Sequence, residues 1–177
     1  SSKSSMFLNY LKDFSTKKIV KNNLSNAKHL ASDKVIKTVG IIFDETYFYE
    51  REDLVKELIQ NGIEEKDIKV LVYKDKIKKN EVFDYPIFSH KDLSWRGTVD
   101  KKDVKSFIAE PFDLLINYYD TEKVALLLVS NLSKASFKVG FASIDKRLNH
   151  FMIDTNAENY IVFMSELFKY LKILNKI

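Results

Sequence analysis

Two short polar segments carry most of the side chains in this sequence that could bind a ligand or do chemistry. The first directly follows the apolar run VIKTVGIIF at residues 35–43, and the second follows the apolar run FDLLI at residues 112–116. Carboxylate, amide and phenol groups can bind nucleotides, sugars or hard cations such as Mg²⁺. The candidate ligand-binding residues are Asp44, Glu45, Tyr47, Asn117, Tyr118 and Asp120.

Each polar segment lies at the first turn of a strand–helix–strand unit. The elements predicted for the first unit are 35–43, 50–61 and 67–73, and those for the second are 112–118, 121–132 and 137–141. Thr121 is the predicted N-cap of the second helix. Because the two strands of such a unit are parallel with a right-handed crossover, both polar segments belong at the same edge of a sheet.

The whole chain predicts an α/β fold: a single Rossmann-like three-layer domain with a mainly parallel sheet of five or six strands, helices on both faces, and a basic helix before it. The remaining predicted elements are a short strand at 87–88, a helix at 101–109, a strand at 151–154 and a helix at 158–173. Strands near 39, 69 and 87 are expected on one side and those near 115, 139 and 152 on the other. The switch point then lies between the two polar segments, where ligands of open α/β sheets bind.

The residues for the commonest catalytic systems are missing from these segments. Neither turn contains glycine, and the motifs GxGxxG, GxxxxGK[ST] and GxSxG are absent. The nearest basic residues are Arg51 and Lys123, and the DETYF sequence lacks the DxDx(T/V) pattern of Mg²⁺ phosphatases. We therefore predict no catalytic residue, no metal and no cofactor, and a non-enzymatic binding or interaction module. The alternative is a nucleotide- or sugar-binding enzyme, glycosyltransferase-like or Mg-dependent, that uses the same crevice.

Two other loops supply secondary candidates. The stretch SHKDLSWRG at 89–97 contains His90, Trp95 and Arg96, which could recognise an anionic or aromatic group. The stretch DKRLNHF at 145–151 contains Lys146, Arg147 and His150, which could form a small anion site. The structural alternative is that Trp95 covers a sheet edge and that the charged side chains are solvated loop residues.

The positive charge is concentrated near the N-terminus. Residues 1–35 hold seven lysines and two aspartates, so this part carries +5 and the remainder −1 of the net +4. We divide the chain into a probable tag or disordered segment at 1–5, a basic amphipathic helical arm at 6–34 and the α/β domain at 35–177. The lysine-rich arm could bind RNA or an acidic surface, although its apolar stripe equally suits packing on the domain.

Composition places the chain among globular proteins, with 45% hydrophobic and 31% charged residues. No run of about 18 apolar residues exists, so no transmembrane segment is predicted. The absence of Cys is compatible with the cytoplasm, our predicted location. An unknown protein partner is the expected partner, and the oligomeric state is open. Edge strands near Ile87 or Phe151, or exposed aromatic side chains at Tyr47, Phe48 and Tyr49, could form a dimer face.

Four blocks of sequence resemble a known family. The blocks KTVGIIFDE, HKDLSWRG, FDLLINYYD and KVGFASIDKRLNHFMID are similar to an uncharacterised family of α/β proteins from Bacteroidetes bacteria, a domain of unknown function. The resemblance spans nearly all of residues 6–177. It implies a cytoplasmic bacterial protein and supplies no catalytic residue.

Residues 112–141 also resemble part of the N-terminal domain of heptosyltransferase-type glycosyltransferases. In those enzymes an FDLVIDL strand, an Ala/Leu-rich helix and a strand ending in Gly-Phe occur in the same order. They bind the nucleotide-sugar donor in a second Rossmann domain, for which this chain is too short. The likeness therefore implies an acceptor-side domain without its donor half, which favours binding over catalysis.

Overall fold

Six strands form one fully parallel sheet in the computed structural model, which describes residues 17–24, 33–94 and 96–177. The strands are β1 (Val39–Asp44), β2 (Ile68–Tyr73), β3 (Ile87–Phe88), β4 (Leu114–Tyr118), β5 (Lys138–Phe141) and β6 (Phe151–Ile153). Their order across the sheet is β3-β2-β1-β4-β5-β6. The predicted α/β Rossmann-like fold is confirmed, and so is the switch point between β1 and β4.

The central strands are buried on both faces, which explains their uninterrupted apolar sequences. In β1, all residues from Val39 to Phe43 are buried, and so are all five residues of β4. Gly40 of β1 is needed for space, because a Cβ atom there would lie 2.6 Å from ring carbons of Phe112. Hydrophobic residues on alternating sides of these strands therefore fix the sheet between two helical layers.

Within residues 33–94 and 96–177, four α-helices cover the sheet: α1 (Arg51–Gln60), α2 (Lys102–Ala109), α3 (Val124–Leu132) and α4 (Tyr160–Ile173). Helices α1 and α4 pack together on one face, and α2 and α3 on the other. Gly62 follows α1 with a φ of 100°, as expected for a residue just beyond a helix end. Two short 3₁₀ helices, at Glu65–Asp67 and His90–Asp92, lie in the connections.

The start of α3 differs from the prediction. The helix begins at Val124, its N-cap residue is Lys123, and no side chain caps it. Thr121 therefore is not the N-cap. Glu122 is held outside the helix because its carboxylate accepts the backbone N–H of Asp145 at 2.8 Å and pairs with Lys21 at 2.7 Å. This unwound start projects Lys123 over the carboxyl ends of the strands.

The described part of the N-terminal arm packs on the domain. Residues 17–23 are helical, and Val20 and Leu24 are buried in the core with 2% and 6% of their surface exposed. Lys21 pairs with Glu122, as above, and lies 3.6 Å from Asp145. Residues 6–16 and 25–32 of the predicted arm lie outside the described residues. No helix in the described ranges has the length and apolar character needed to cross a membrane.

Candidate functional site

A crevice of about 380 Å³ opens at the carboxyl ends of β1 and β4, where the sequence places the ligand site. Its polar lining comes from the loops that follow β1, β2 and β4 and from the segment before α4. The polar residues that line it are Asp44, Asp75, Asp120, Thr121, Lys123 and Glu158, and the aromatic ones are Tyr47, Phe48, Tyr118 and Tyr119. Four of the six candidate ligand-binding residues therefore meet here: Asp44, Tyr47, Tyr118 and Asp120.

Lys123 organises the floor of the crevice. Its ammonium lies 2.6 Å from Oδ2 of Asp44 and 2.9 Å from Oδ1 of Asp75. The other carboxylate oxygen of Asp44 accepts the hydroxyl of Thr46 at 2.6 Å and the Thr46 backbone N–H at 3.0 Å. Both carboxylates are thus fixed in position by partners that join the loops after β1, β2 and β4.

The charge on this lysine is stabilised in spite of its environment. Burial disfavours the ammonium, but hydrogen bonds and charge attraction from Asp44 and Asp75 outweigh that effect and raise the pKa of Lys123. The ammonium occupies the space between two carboxylates, so a divalent cation at that point would have to displace it. Among the described residues there is no group of three or more His, Cys, Asp or Glu side chains that could hold a metal ion.

An aromatic cluster forms the apolar wall of the crevice. The rings of Phe48 and Tyr118 lie 4.8 Å apart, and Tyr118 also contacts Phe43, Phe141 and Phe163. The Tyr118 hydroxyl donates to the carbonyl of Ala157 at 2.8 Å. Burial raises the pKa of Tyr118 above its usual value, which keeps the phenol protonated. The predicted exposure of Phe48 is wrong, because only 7% of it is accessible.

Tyr47 differs from these core aromatic residues because 87% of its surface is exposed at the crevice mouth. Nearby Tyr49 is 81% exposed but does not line the crevice. A ring that is free in solvent beside a cavity can close on a ligand without losing any core packing. Tyr47 is therefore an exposed aromatic side chain at the site, and Tyr49 is a similarly exposed one outside it that can serve as a control.

Asp120 shapes the opposite side of the crevice. Its Oδ2 accepts the backbone N–H of Ala157 at 2.8 Å, and its carbonyl accepts the Ser143 hydroxyl at 2.7 Å. These bonds join the loop after β4 to the loop after β5 and to the segment before α4. Asp120 is half-buried. Its other carboxylate oxygen, Oδ1, lies 3.4 Å from the hydroxyl oxygen of Thr121. Asp120 is thus both a structural link and a lining acceptor.

Glu45 does not line the crevice. Its carboxylate is bound by Arg51 at 2.7 Å and by the Tyr85 hydroxyl at 3.1 Å, and only 7% of the residue is exposed. The Arg51 guanidinium in turn lies 3.7 Å from the centre of the Tyr85 ring. These contacts attach the loop before β3 to the start of α1.

Asn117 also lies away from the crevice, in the layer between β4 and α3. Its amide oxygen accepts from the Ser130 hydroxyl at 2.8 Å, and its Nδ2 donates to Oδ1 of Asn149 at 2.7 Å. The Tyr119 hydroxyl lies 2.7 Å from that of Ser130 and completes this buried polar network. The Nδ2 of Asn149 has no hydrogen-bond partner in the part of the chain that the structure describes. The network therefore positions β4 and α3 rather than facing a ligand.

The secondary candidates are spread over different places. His90 lines a second cavity, beyond the ends of β2 and β3, and Arg96 is an exposed turn residue. Arg147 makes two hydrogen bonds to Asp145, at 3.0 and 2.8 Å, which lower the pKa of that carboxyl group. Trp95 lies outside the described residues. The loop that contains Arg147 therefore uses its guanidinium internally.

Sequence reasoning missed two residues that shape the crevice, Lys123 and Asp75. The predicted helix at 121–132 includes Lys123, and Asp75 lies in the charged stretch after the strand at 67–73, where no pattern marks it as a site residue. Their pairing links positions 48 residues apart, which no local pattern reveals. A weak signal existed for Asp75, because it follows β2 at the same sheet edge as Asp44 and Asp120.

A comparison with protein families identifies the family of this chain. Residues 12–174 match a family of unknown function, DUF6913. The chain belongs to this family. A comparison with curated proteins found no match, and neither did a comparison with solved structures. Membership of DUF6913 therefore agrees with the expected family of unknown function.

Proposed function

We propose that the protein is a non-enzymatic binding module that holds a small ligand in the crevice between the ends of β1 and β4. One observation carries this proposal: a cavity of about 380 Å³ lies at the switch point, with carboxylates on its floor and aromatic rings on its wall. Cavities of this size, with an apolar wall and a few oriented polar groups, are typical of small-molecule sites.

The charges around the crevice restrict the ligand class. Four carboxylates (Asp44, Asp75, Asp120 and Glu158) and one ammonium (Lys123) line it. Their formal sum is −3, which repels phosphate and carboxylate groups. The carboxylates can instead accept hydrogen bonds from hydroxyl or amino groups, while Tyr47 and Phe48 offer ring faces. A nucleoside, a sugar or a cyclic amine fits this chemistry.

The contacts of the polar groups favour binding over catalysis. The Lys123 ammonium is held between two carboxylates, which raise its pKa, so it is a poor nucleophile or base near neutral pH. Asp44 and Asp120 both accept hydrogen bonds from the backbone. Carboxylates that are held in position by such partners can orient a ligand by accepting further hydrogen bonds from it.

The test is an NMR titration of isotope-labelled protein with adenosine and with glucose. We expect shifts of backbone amides around Asp44, Thr121 and Glu158 at millimolar ligand. Tyr47→Ala should weaken binding about fivefold, because it removes a ring contact worth roughly 1 kcal/mol. The matched variant Tyr49→Ala removes a similarly exposed ring outside the crevice and should leave the affinity unchanged.

Blocking the crevice gives a second, independent arm of this test. Thr121→Trp places a large ring at the exposed rim of the cavity, where it should exclude the ligand without disturbing the core. If neither compound shifts any crevice amide, or if both tyrosine variants weaken binding equally, the proposal fails.

The finer sequence expectations remain proposals. A glycosyltransferase-like acceptor module, as the heptosyltransferase likeness of residues 112–141 implies, would use the same crevice for a sugar. A cytoplasmic location in a Bacteroidetes bacterium follows only from the family resemblance. RNA binding through the lysine-rich arm is less well supported, because Val20 and Leu24 bury the described part of that arm against the domain.

A further inference from the structure

A second cavity, of about 720 Å³, lies beside the crevice at the carboxyl ends of β2 and β3. Lys123 and Asp75 line both cavities, so their ion pair is a shared border. The other side of the second cavity is formed by Ser89 and His90, at the start of the 3₁₀ helix after β3.

The charge of this cavity is opposite to that of the crevice. Lys17, Lys76 and Lys91 line it, and none of them forms an ion pair with another residue in the described ranges. Its two acidic residues are already compensated, because Asp75 pairs with Lys123 and Glu122 pairs with Lys21. Three lysines that have no ion-pair partner among the described residues thus line one concave surface.

The floor of the cavity is apolar and includes the beginning of a helix. Tyr73, Ile77, Val124 and Ala125 supply it. Helix α3 starts there without a side-chain cap, so its first backbone N–H groups add a partial positive charge to the lysines. The cavity therefore combines positive charge at the rim with an apolar surface below it.

We propose that this cavity, which we call the basic cavity, binds a small phosphorylated molecule whose carbon skeleton lies against Tyr73 and Ile77. Phosphate is the favoured anion because the basic groups are lysines, which bind phosphate as point charges. Among the described residues, no arginine lines the cavity to bind a carboxylate with two parallel hydrogen bonds. A concave site of this volume suits a compact ligand rather than an extended polynucleotide.

The experiment compares inorganic pyrophosphate, glucose 6-phosphate and glucose by isothermal titration calorimetry at low salt. We expect both phosphorylated compounds to bind and glucose to bind at least about tenfold more weakly at this site. The variant K76E/K91E reverses two rim charges and should weaken binding of the phosphorylated compounds by about tenfold or more. K76Q/K91Q removes the charges without adding acids and should have a smaller effect in the same direction.

The matched control is K56E/K105E, which changes the net charge equally at two exposed lysines outside the cavity. It should change the affinity about twofold at most. The proposal is overturned if neither phosphorylated compound binds, or if the two charge-reversal variants weaken binding equally. It is also overturned if a single-stranded RNA binds more tightly than pyrophosphate through Lys76 and Lys91, because the surface would then be a nucleic-acid interface.

Tyr47→Ala separates this site from the crevice. The basic cavity does not include Tyr47, so the variant should leave pyrophosphate binding unchanged. Loss of pyrophosphate binding in Tyr47→Ala would place the anion in the crevice and would overturn the assignment to the basic cavity.

Discussion

Lys138 should make the stability of the protein increase with pH in the alkaline range. It is the first residue of β5 and only 8% exposed, and its ammonium donates to the carbonyl of Asn131 at 3.1 Å. Burial and, to a smaller extent, the nearby charge of Lys134 together lower the pKa of Lys138 from 10.5 to about 8. The folded protein therefore holds this proton less tightly than the unfolded chain does.

The sign and size of the effect follow from these two pKa values. Between pH 8 and pH 10.5 the unfolded chain binds more protons than the folded one, so the free energy of unfolding rises with pH. Integrating this difference from about pH 7 to about pH 9.5 gives a gain of about 2 kcal/mol. Tyr118 and Tyr119, whose pKa values are raised by burial, act in the opposite direction only above about pH 10.

Urea unfolding at a series of pH values measures this gain directly. The wild-type protein should become about 2 kcal/mol more stable from pH 7 to pH 9.5, and Lys138→Met should show a nearly flat profile. The control Lys134→Met should keep most of the slope, because burial is the larger cause of the shift. A flat wild-type profile, or an unchanged slope in Lys138→Met, would refute the reasoning.

Three further substitutions test the architecture of the site, each by urea unfolding. Gly140→Ala places a Cβ 2.4 Å from Nδ2 of Asn149 and should lower the free energy of unfolding by about 2 kcal/mol. If the variant is as stable as the wild type, the Asn149 side chain moves aside freely. Ser130→Ala removes a hydroxyl from the buried network and should cost about 1–3 kcal/mol, whereas a neutral result would mean that the network contributes nothing. Lys123→Met leaves Asp44 without its cation and should cost about 1–3 kcal/mol, with Lys56→Met as the unaffected control; equal losses would contradict the pairing.

The fold could be predicted because its signals are local. Continuous apolar runs such as VGIIFD indicate strands buried on both faces, and the helical spacing between them indicates crossovers. Two strand–helix–strand units then leave few topologies, since each crossover is right-handed. The strand order and the switch point followed from these rules alone, without any knowledge of side-chain contacts.

The composition of the crevice was only partly predictable because it depends on long-range pairing. Alternation along β4 sends Tyr118 to the α4 face and Asn117 to the α3 face, and the sequence does not say which face opens to the crevice. The position of Lys123 depends on Lys21 and Asp145, which draw Glu122 out of the helix. Interactions of this kind connect distant segments and leave no periodic pattern.

The two outer strands of the sheet also restrict how copies of the protein can associate. β3 has two residues and β6 has three, so each border offers few unpaired backbone groups to another chain. Natural sheet proteins shorten such borders and thereby avoid adding strands from neighbouring molecules. Self-association through continuous sheets, including growth into fibrils, is therefore disfavoured at these two borders.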